Sequence, residues 1–247
     1  MALIVAAIDI GNKKDIPQRT LEEIKKSNVI ICEYINSFKR MMLALNIDIS
    51  NKNLIEFNPY ISMPDKVIKD VLQMQEDGKS IMIIGNQGTP LITDPGFEIV
   101  AEFRKKNLPV YSIPGPSAIT AALSTSGILP EKFYFAGFMP LISKDRITFL
   151  HNLKNKADCA IVIFEPIIFS GYQSCLDIKE VFGSENKMSL HIDMTRQTEK
   201  SFLSSVSECT NWIDKIINSE SFFKNYNEAS GLVYVIDNWP TIYQSDI

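Results

Sequence analysis

Apolar positions follow two patterns along this chain. Short continuous runs at residues 3–8, 29–33, 54–57, 81–84 and 110–113 read as strands, because a strand covered on both faces needs no polar alternation. Between them, residues 19–26, 38–45, 66–76, 97–106 and 116–126 carry helical spacing. In the fourth of these, Phe97, Val100, Ala101 and Phe103 fall on one side and Glu98, Glu102, Arg104 and Lys105 on the other. Alternating strands and helices predict an α/β fold with a parallel sheet flanked by helices. The break Gly127-Ile128-Leu129-Pro130 divides the chain into an expected N-terminal α/β domain, 1–127, and a C-terminal one, 128–247. The second half opens with Phe133-Tyr134-Phe135-Ala136-Gly137-Phe138. Helices follow at 145–153, 172–182 and 209–217, and strands at 159–164, 188–193, 201–204 and 232–236, which predict a mixed sheet with helices. Residues 218–230 show no period and are expected to form a loop.

The segment Gly85-Asn86-Gln87-Gly88-Thr89-Pro90-Leu91-Ile92-Thr93-Asp94-Pro95-Gly96 joins a buried strand to an amphipathic helix. Such a connection lies at the carboxyl edge of a parallel sheet, where open α/β folds bind small molecules and where glycine lets backbone N–H groups approach a ligand. A second reading explains the same residues: Asp94 caps the helix, Pro95 takes its first turn, and the glycines allow bends. The segment alone leaves both readings open. Two further exits, Ile10-Gly11-Asn12 and Pro114-Gly115-Pro116-Ser117, fall at the same edge if the strands are parallel, which favours a cleft. Neither G-x-G-x-x-G nor a Gly-Lys-Ser/Thr ending is present, so a cofactor held here is not gripped by phosphates.

Composition narrows the class. The 247 residues are 45% hydrophobic and 22% charged with a net charge of −4, which supports a globular core and gives no overall attraction to nucleic acid or anionic membranes. Cys32, Cys159, Cys175 and Cys209 are dispersed, and His151 and His191 are not paired at ligand spacing, so no metal site is expected. Cys32 and Cys159 sit in apolar runs, as buried reduced thiols of a cytoplasmic protein would. No signal segment or membrane span is expected.

Taken together and in order, Ile10-Gly11-Asn12, Gly88-Thr89-Pro90, Asp94-Pro95-Gly96 and Pro114-Gly115-Pro116-Ser117-Ala118 resemble the tetrapyrrole methylase superfamily, the class III S-adenosylmethionine-dependent methyltransferases. Within it they resemble the ribosomal RNA small-subunit methyltransferase I branch. Leu21-Glu22-Glu23-Ile24, Ala121-Ala122-Leu123-Ser124 and Gly137-Phe138-Met139-Pro140 extend the resemblance over nearly the whole chain. It implies two α/β domains, usually homodimeric, with S-adenosylmethionine in a cleft between them. Ile10, Gly11, Gly88, Thr89, Pro90, Asp94, Pro114, Gly115, Pro116, Ser117 and Ala118 are the implied cofactor-binding residues. The family's charged positions fall on Glu33, Glu165, Asp193, Arg196 and Glu199. Of these, Glu33 and Glu165 follow apolar strand runs and are the implied catalytic carboxylates, although a strand-end ion pair explains each equally.

Departures from the family pattern bear on the acceptor. Tyr34-Ile35-Asn36, Pro166-Ile167-Ile168-Phe169 and Ile192-Asp193-Met194-Thr195-Arg196 replace segments rich in arginine, and the stretch Leu141-Ile142-Ser143-Lys144-Asp145-Arg146 is thinly basic. Phosphate contacts dominate RNA affinity, so an acceptor less anionic than RNA, a small molecule or peptide, competes with RNA. Lys13, Lys14, Lys39 and Arg40 are candidate replacement cations for an RNA substrate, a solvated surface being the other reading of the same residues. Asp9 stands where the family has proline, and Leu91 adds bulk beside the loop, where overpacking costs about 1–3 kcal/mol. A non-catalytic dimeric binding protein with the same fold is the alternative.

Overall fold

The computed structural model describes residues 2–58, 63–166, 168–226 and 230–240. They form two compact units, dividing at Ser117/Ala118. The first contains β1 (Leu3–Ala6), α1 (Gln18–Lys26), β2 (Val29–Cys32), α2 (Ile35–Ala44), β3 (Asn53–Glu56), α3 (Pro64–Glu76), β4 (Ile81–Ile84), α4 (Phe97–Lys105) and β5 (Val110–Ile113). The strands pair in the order β3-β2-β4-β1-β5, all parallel.

Alternation within the apolar runs fills both faces of this sheet. Ile30, Cys32, Met82 and Ile84 join Ile24, Phe38 and Met42 from α1 and α2 in one core. Val29, Ile31, Ile81 and Ile83 join Val71, Ile99 and Phe103 from α3 and α4 in the other. β2 and β4, apolar at every position, are therefore central, while β5 carries exposed Tyr111 at an edge.

The second unit contains α5 (Ala118–Thr125), β6 (Phe133–Phe138), α6 (Ser143–Lys156), β7 (Ala160–Glu165), α7 (Gly171–Phe182), β8 (Lys187–Ile192), β9 (Lys200–Ser205), α8 (Val206–Ile217), α9 (Phe222–Asn225) and β10 (Leu232–Ile236). Its sheet, β6-β7-β10-β8-β9, is mixed: β6 and β7 run parallel, and the remaining neighbours are antiparallel. Leu232, Tyr234 and Ile236 of β10 enter a core built with α6, α7 and α8. Val233 and Val235 point the other way and are buried too, and α5 packs on this strand. The side-chain set of α5 thus belongs with the second sheet.

Two expectations change. The helix placed at 116–126 begins at Ala118, after Pro116. Residues 222–225 of the expected 218–230 loop form a helical turn, anchored by buried Phe222 against Phe169 and Tyr226. One turn is too short for periodicity to register. Residues 227–229 of that loop, and Ile167, lie outside the described residues. The four cysteines are all free and buried.

Candidate functional site

Backbone hydrogen bonds tie the three loops together at the carboxyl edge of the first sheet. The Gly88 N–H donates to the Asp9 carbonyl at 2.8 Å, and the Ile8 N–H donates to the Gly88 carbonyl at 2.9 Å. The Thr89 hydroxyl donates to the Pro116 carbonyl at 3.2 Å. Asp9 accepts from the Gly11 N–H at 2.9 Å and so folds the Ile10-Gly11 turn by a side-chain contact. The structure brings together Ile10, Gly11, Gly88, Thr89 and Pro116, with Pro114, Gly115 and Ser117 on the same short connection, while Ala118 opens α5.

The glycines do different work here. Gly88 has φ +68°, and a Cβ there would lie 3.1 Å from Ile10 Cγ2. A Cβ at Gly115 would come within 2.6 Å of Pro17 Cγ and 2.9 Å of Ala7 Cβ. Gly115 is thus a packing glycine of the β1-α1 connection. Leu91 takes φ 70° and Thr93 φ 69°, so two residues with a Cβ are held in the left-handed region within one loop. The half-buried Leu91 side chain packs against the core formed with α3 and α4, close to Gly96.

Asp94 does not cap α4. That helix starts at Phe97 from Gly96, without a side-chain cap. Asp94 instead turns under the β4 exit, where its Oδ2 is buried without a hydrogen-bond partner among the described residues and would meet a Cβ at Gly85 at 2.6 Å. Glu33, Cys32, Pro90 and Asp94 line one small cavity at the ends of β2 and β4. Burial, assisted by the neighbouring Glu33 charge, pushes the Asp94 carboxyl up to about 7. Burial also raises Glu33, opposed by a hydrogen bond from Tyr34. Cys32 is pushed up to about 12 by burial and then by Glu56 and Glu33, which keeps it a protonated, unreactive thiol.

A second hollow, of about 220 Å³, opens on the other side of the loop between the β1 exit and α2; Lys13, Ser37, Arg40 and Gln87 are among its walls. Lys39 belongs elsewhere, on a groove with Asp48 and Lys52. In the second unit, Glu165 ends β7 and is buried with both oxygens engaged: Ser170 donates to Oε1 at 2.8 Å and Tyr234 to Oε2 at 2.6 Å. Asp193 accepts from Thr198, Ser230 and the Gly231 N–H, Arg196 lies 3.8 Å from it, and Glu199 accepts from the Thr195 N–H. These three charged positions build the turn after β8. The Tyr234 and Ser170 contacts were not read from the sequence; only strand parity, which turns Tyr234 inward, hints at the first.

The profile of the Tetrapyrrole (Corrin/Porphyrin) Methylases matches residues 2–207. The chain belongs to the tetrapyrrole methylase family. This methylase is 34% identical to the ribosomal RNA small subunit methyltransferase I of Thermotoga maritima over 86% of its own length and 92% of that protein. It is 28% identical to the protein of the same name from Mycoplasmopsis pulmonis, covering 88% and 94%. Its two-unit architecture matches the crystal structure of the methyltransferase CobJ at TM-score 0.65 and 14% identity, over 95% of this chain and 93% of that one. A uroporphyrin-III C-methyl transferase from Thermus thermophilus, solved with S-adenyl homocysteine, matches at TM-score 0.58 and 12% identity over 96% and 98%. This tetrapyrrole methylase belongs to a family of methyltransferases. Among the described residues no helix is long and apolar enough to cross a membrane, and no three acidic, histidine or cysteine side chains form a metal-ligating group.

Proposed function

We propose that this methylase transfers a methyl group from S-adenosylmethionine to small-subunit ribosomal RNA, with a ribose hydroxyl as acceptor, and works as a cytoplasmic homodimer. The observation that carries the reading is the 86% and 92% coverage of a relative bearing the ribosomal RNA name, which extends the likeness well beyond the cofactor loops. The donor site is the edge made by Ile10, Gly11, Gly88, Thr89, Pro90 and Asp94 with residues 114–118. Its chemistry suits the donor. Asp94 Oδ2, an orphaned buried acceptor, and the half-buried Glu33 lie at one end of the loop, where a sulfonium's positive charge would be favoured.

S-adenosylmethionine supplies a methyl group already activated on sulfur, so the protein's tasks are alignment and exclusion of water. The hydrogen bonds among the three loops fix their backbone before a ligand arrives. Glu33, raised by burial, is the proton acceptor for the hydroxyl, a task helped by a carboxylate moved toward neutrality. Glu165, with both oxygens engaged by Ser170 and Tyr234, is a carboxyl fixed in position for the acceptor side. A fold kept only for binding rests on the changes at Asp9 and Leu91; Asp9 still folds the Ile10-Gly11 turn and Leu91 packs against the core with α3 and α4, which supports the catalytic reading. Phe133, Tyr134, Phe138, Leu141 and Ile142, between 45% and 65% exposed, support self-association through the second unit.

Calorimetric titration with S-adenosylmethionine, followed by transfer of a labelled methyl group to small-subunit RNA, tests the reading. Saturable heat and label in RNA are expected. No heat and no thermal shift at millimolar donor would remove the enzyme, and label confined to a small molecule or peptide would remove the RNA.

A further inference from the structure

We propose that the hollow beside the loop tip, walled by Lys13, Ser37, Arg40 and Gln87, seats a phosphate of the acceptor RNA backbone. The proposal rests on the RNA reading above and deepens it. Lys13 comes from the short 3₁₀ turn after β1, Ser37 and Arg40 come from α2, and Gln87 comes from the tip of the β4 loop, so three separate segments place donors around one space of about 220 Å³.

Positive charge outweighs negative in this hollow, Lys13 and Arg40 standing against Asp9. Among the described residues the ion pairs are Lys105 with Glu102, Arg146 with Asp177 and Arg196 with Asp193, and neither Lys13 nor Arg40 has a carboxylate within 4.0 Å. Asp9 lines the space too, accepting at Oδ1 from the Gly11 N–H without an ion pair to either cation, so the lining keeps a net positive charge. Arg40 Nη2 donates to the Ser37 hydroxyl at 3.3 Å, which orients the guanidinium. A guanidinium fork, an ammonium, a hydroxyl and an amide around one space match a phosphodiester oxyanion.

The second unit adds weight by what it withholds. Arg146, the arginine of the 141–146 stretch, is 1% exposed, donates from Nε to Asp177 at 2.6 Å and from Nη1 to the Pro140 and Leu141 carbonyls, and is therefore committed to the fold. In a chain of net charge −4, attraction for RNA has to be local, and the paired cations beside the loop supply it.

The test measures binding of a fluorescent single-stranded oligoribonucleotide of small-subunit RNA sequence against salt, for the parent chain, Lys13→Gln/Arg40→Gln and Lys14→Gln/Lys39→Gln. The two double variants change net charge equally, but only the first empties the hollow of cations. Removing two phosphate contacts is expected to flatten the plot of log affinity against log salt by about 1.4 and to weaken binding about tenfold at low salt. The second variant should keep the parent slope, and both should melt with the parent. Equal losses in the two variants, an unchanged slope in the first, or no RNA binding by the parent overturns the proposal. Donor titration of the parent is scored separately: a chain that binds this RNA through Lys13 and Arg40 yet gives no heat with S-adenosylmethionine loses the methyltransferase reading and keeps the phosphate seat.

Discussion

Asp94 shows how much of a residue's role depends on neighbours that are distant in the chain. Next to Pro95 it has the sequence context of a helix cap, yet it faces Glu33 and carries a buried oxygen with no partner among the described residues. Its carboxyl rises from 3.8 to about 7, so the folded state binds the proton more tightly than the unfolded chain does. The stabilisation is fully present below pH 4 and is lost as pH climbs through 7. Asp94→Asn keeps the shape without the charge, and is expected to raise stability at pH 8 by about 1–2 kcal/mol, after allowance for solvent screening, with little change at pH 5. Urea unfolding of the first unit at the two pH values measures this. A variant less stable than the parent at pH 8 would mean that the ionised carboxylate is held by favourable contacts.

At the scale of elements, sequence was a good guide wherever an element is long and its burial uniform. β2 and β4 were legible because both faces are covered, and the three loop exits were legible because parallel strands force them to one edge. What stayed hidden depends on contacts across the fold: the turn of α9, the donors on Glu165, the inward course of Leu91, and the separation of Lys13 and Arg40 from Lys39. The glycines illustrate the limit. Gly88 and Gly115 look alike in the sequence, but one needs its positive φ and the other needs its missing side chain. Gly115→Ala drives a Cβ into Pro17 and Ala7, neither of which can swing away, and is expected to destabilise the chain by about 1–3 kcal/mol. Gly88→Ala meets the movable Ile10 side chain and should cost about 1 kcal/mol for its backbone, while weakening donor binding more than Gly115→Ala does. Thermal melts paired with donor titrations separate the two; the reverse order of donor affinities would move the ligand surface from Gly88 to the Pro114 connection.

For the molecule as a whole, the two units carry opposite responses to acid. The first gains stability as Asp94 protonates. The second contains His191, 1% exposed on β8 and hydrogen-bonded through Nε2 to Ser189 at 2.9 Å, which burial lowers to about 4. An unfolded histidine takes up its proton near 6.5 and the folded one does not, so stability present above 6.5 is lost as pH falls toward 4. At pH 5 the loss amounts to about 2 kcal/mol. Both tryptophans, Trp212 and Trp239, lie in the second unit, so their fluorescence reports on it alone. The urea midpoint seen by tryptophan should therefore fall by about 1 M between pH 7.5 and pH 5. His191→Gln should remove most of that fall, while Asp94→Asn should leave it unchanged. Because Asp94 in the other unit moves the opposite way over the same interval, circular dichroism, which averages both, should show a smaller shift than fluorescence. Coincident shifts by the two probes, undiminished in His191→Gln, would place the acid-sensitive group elsewhere than in the buried histidine of β8.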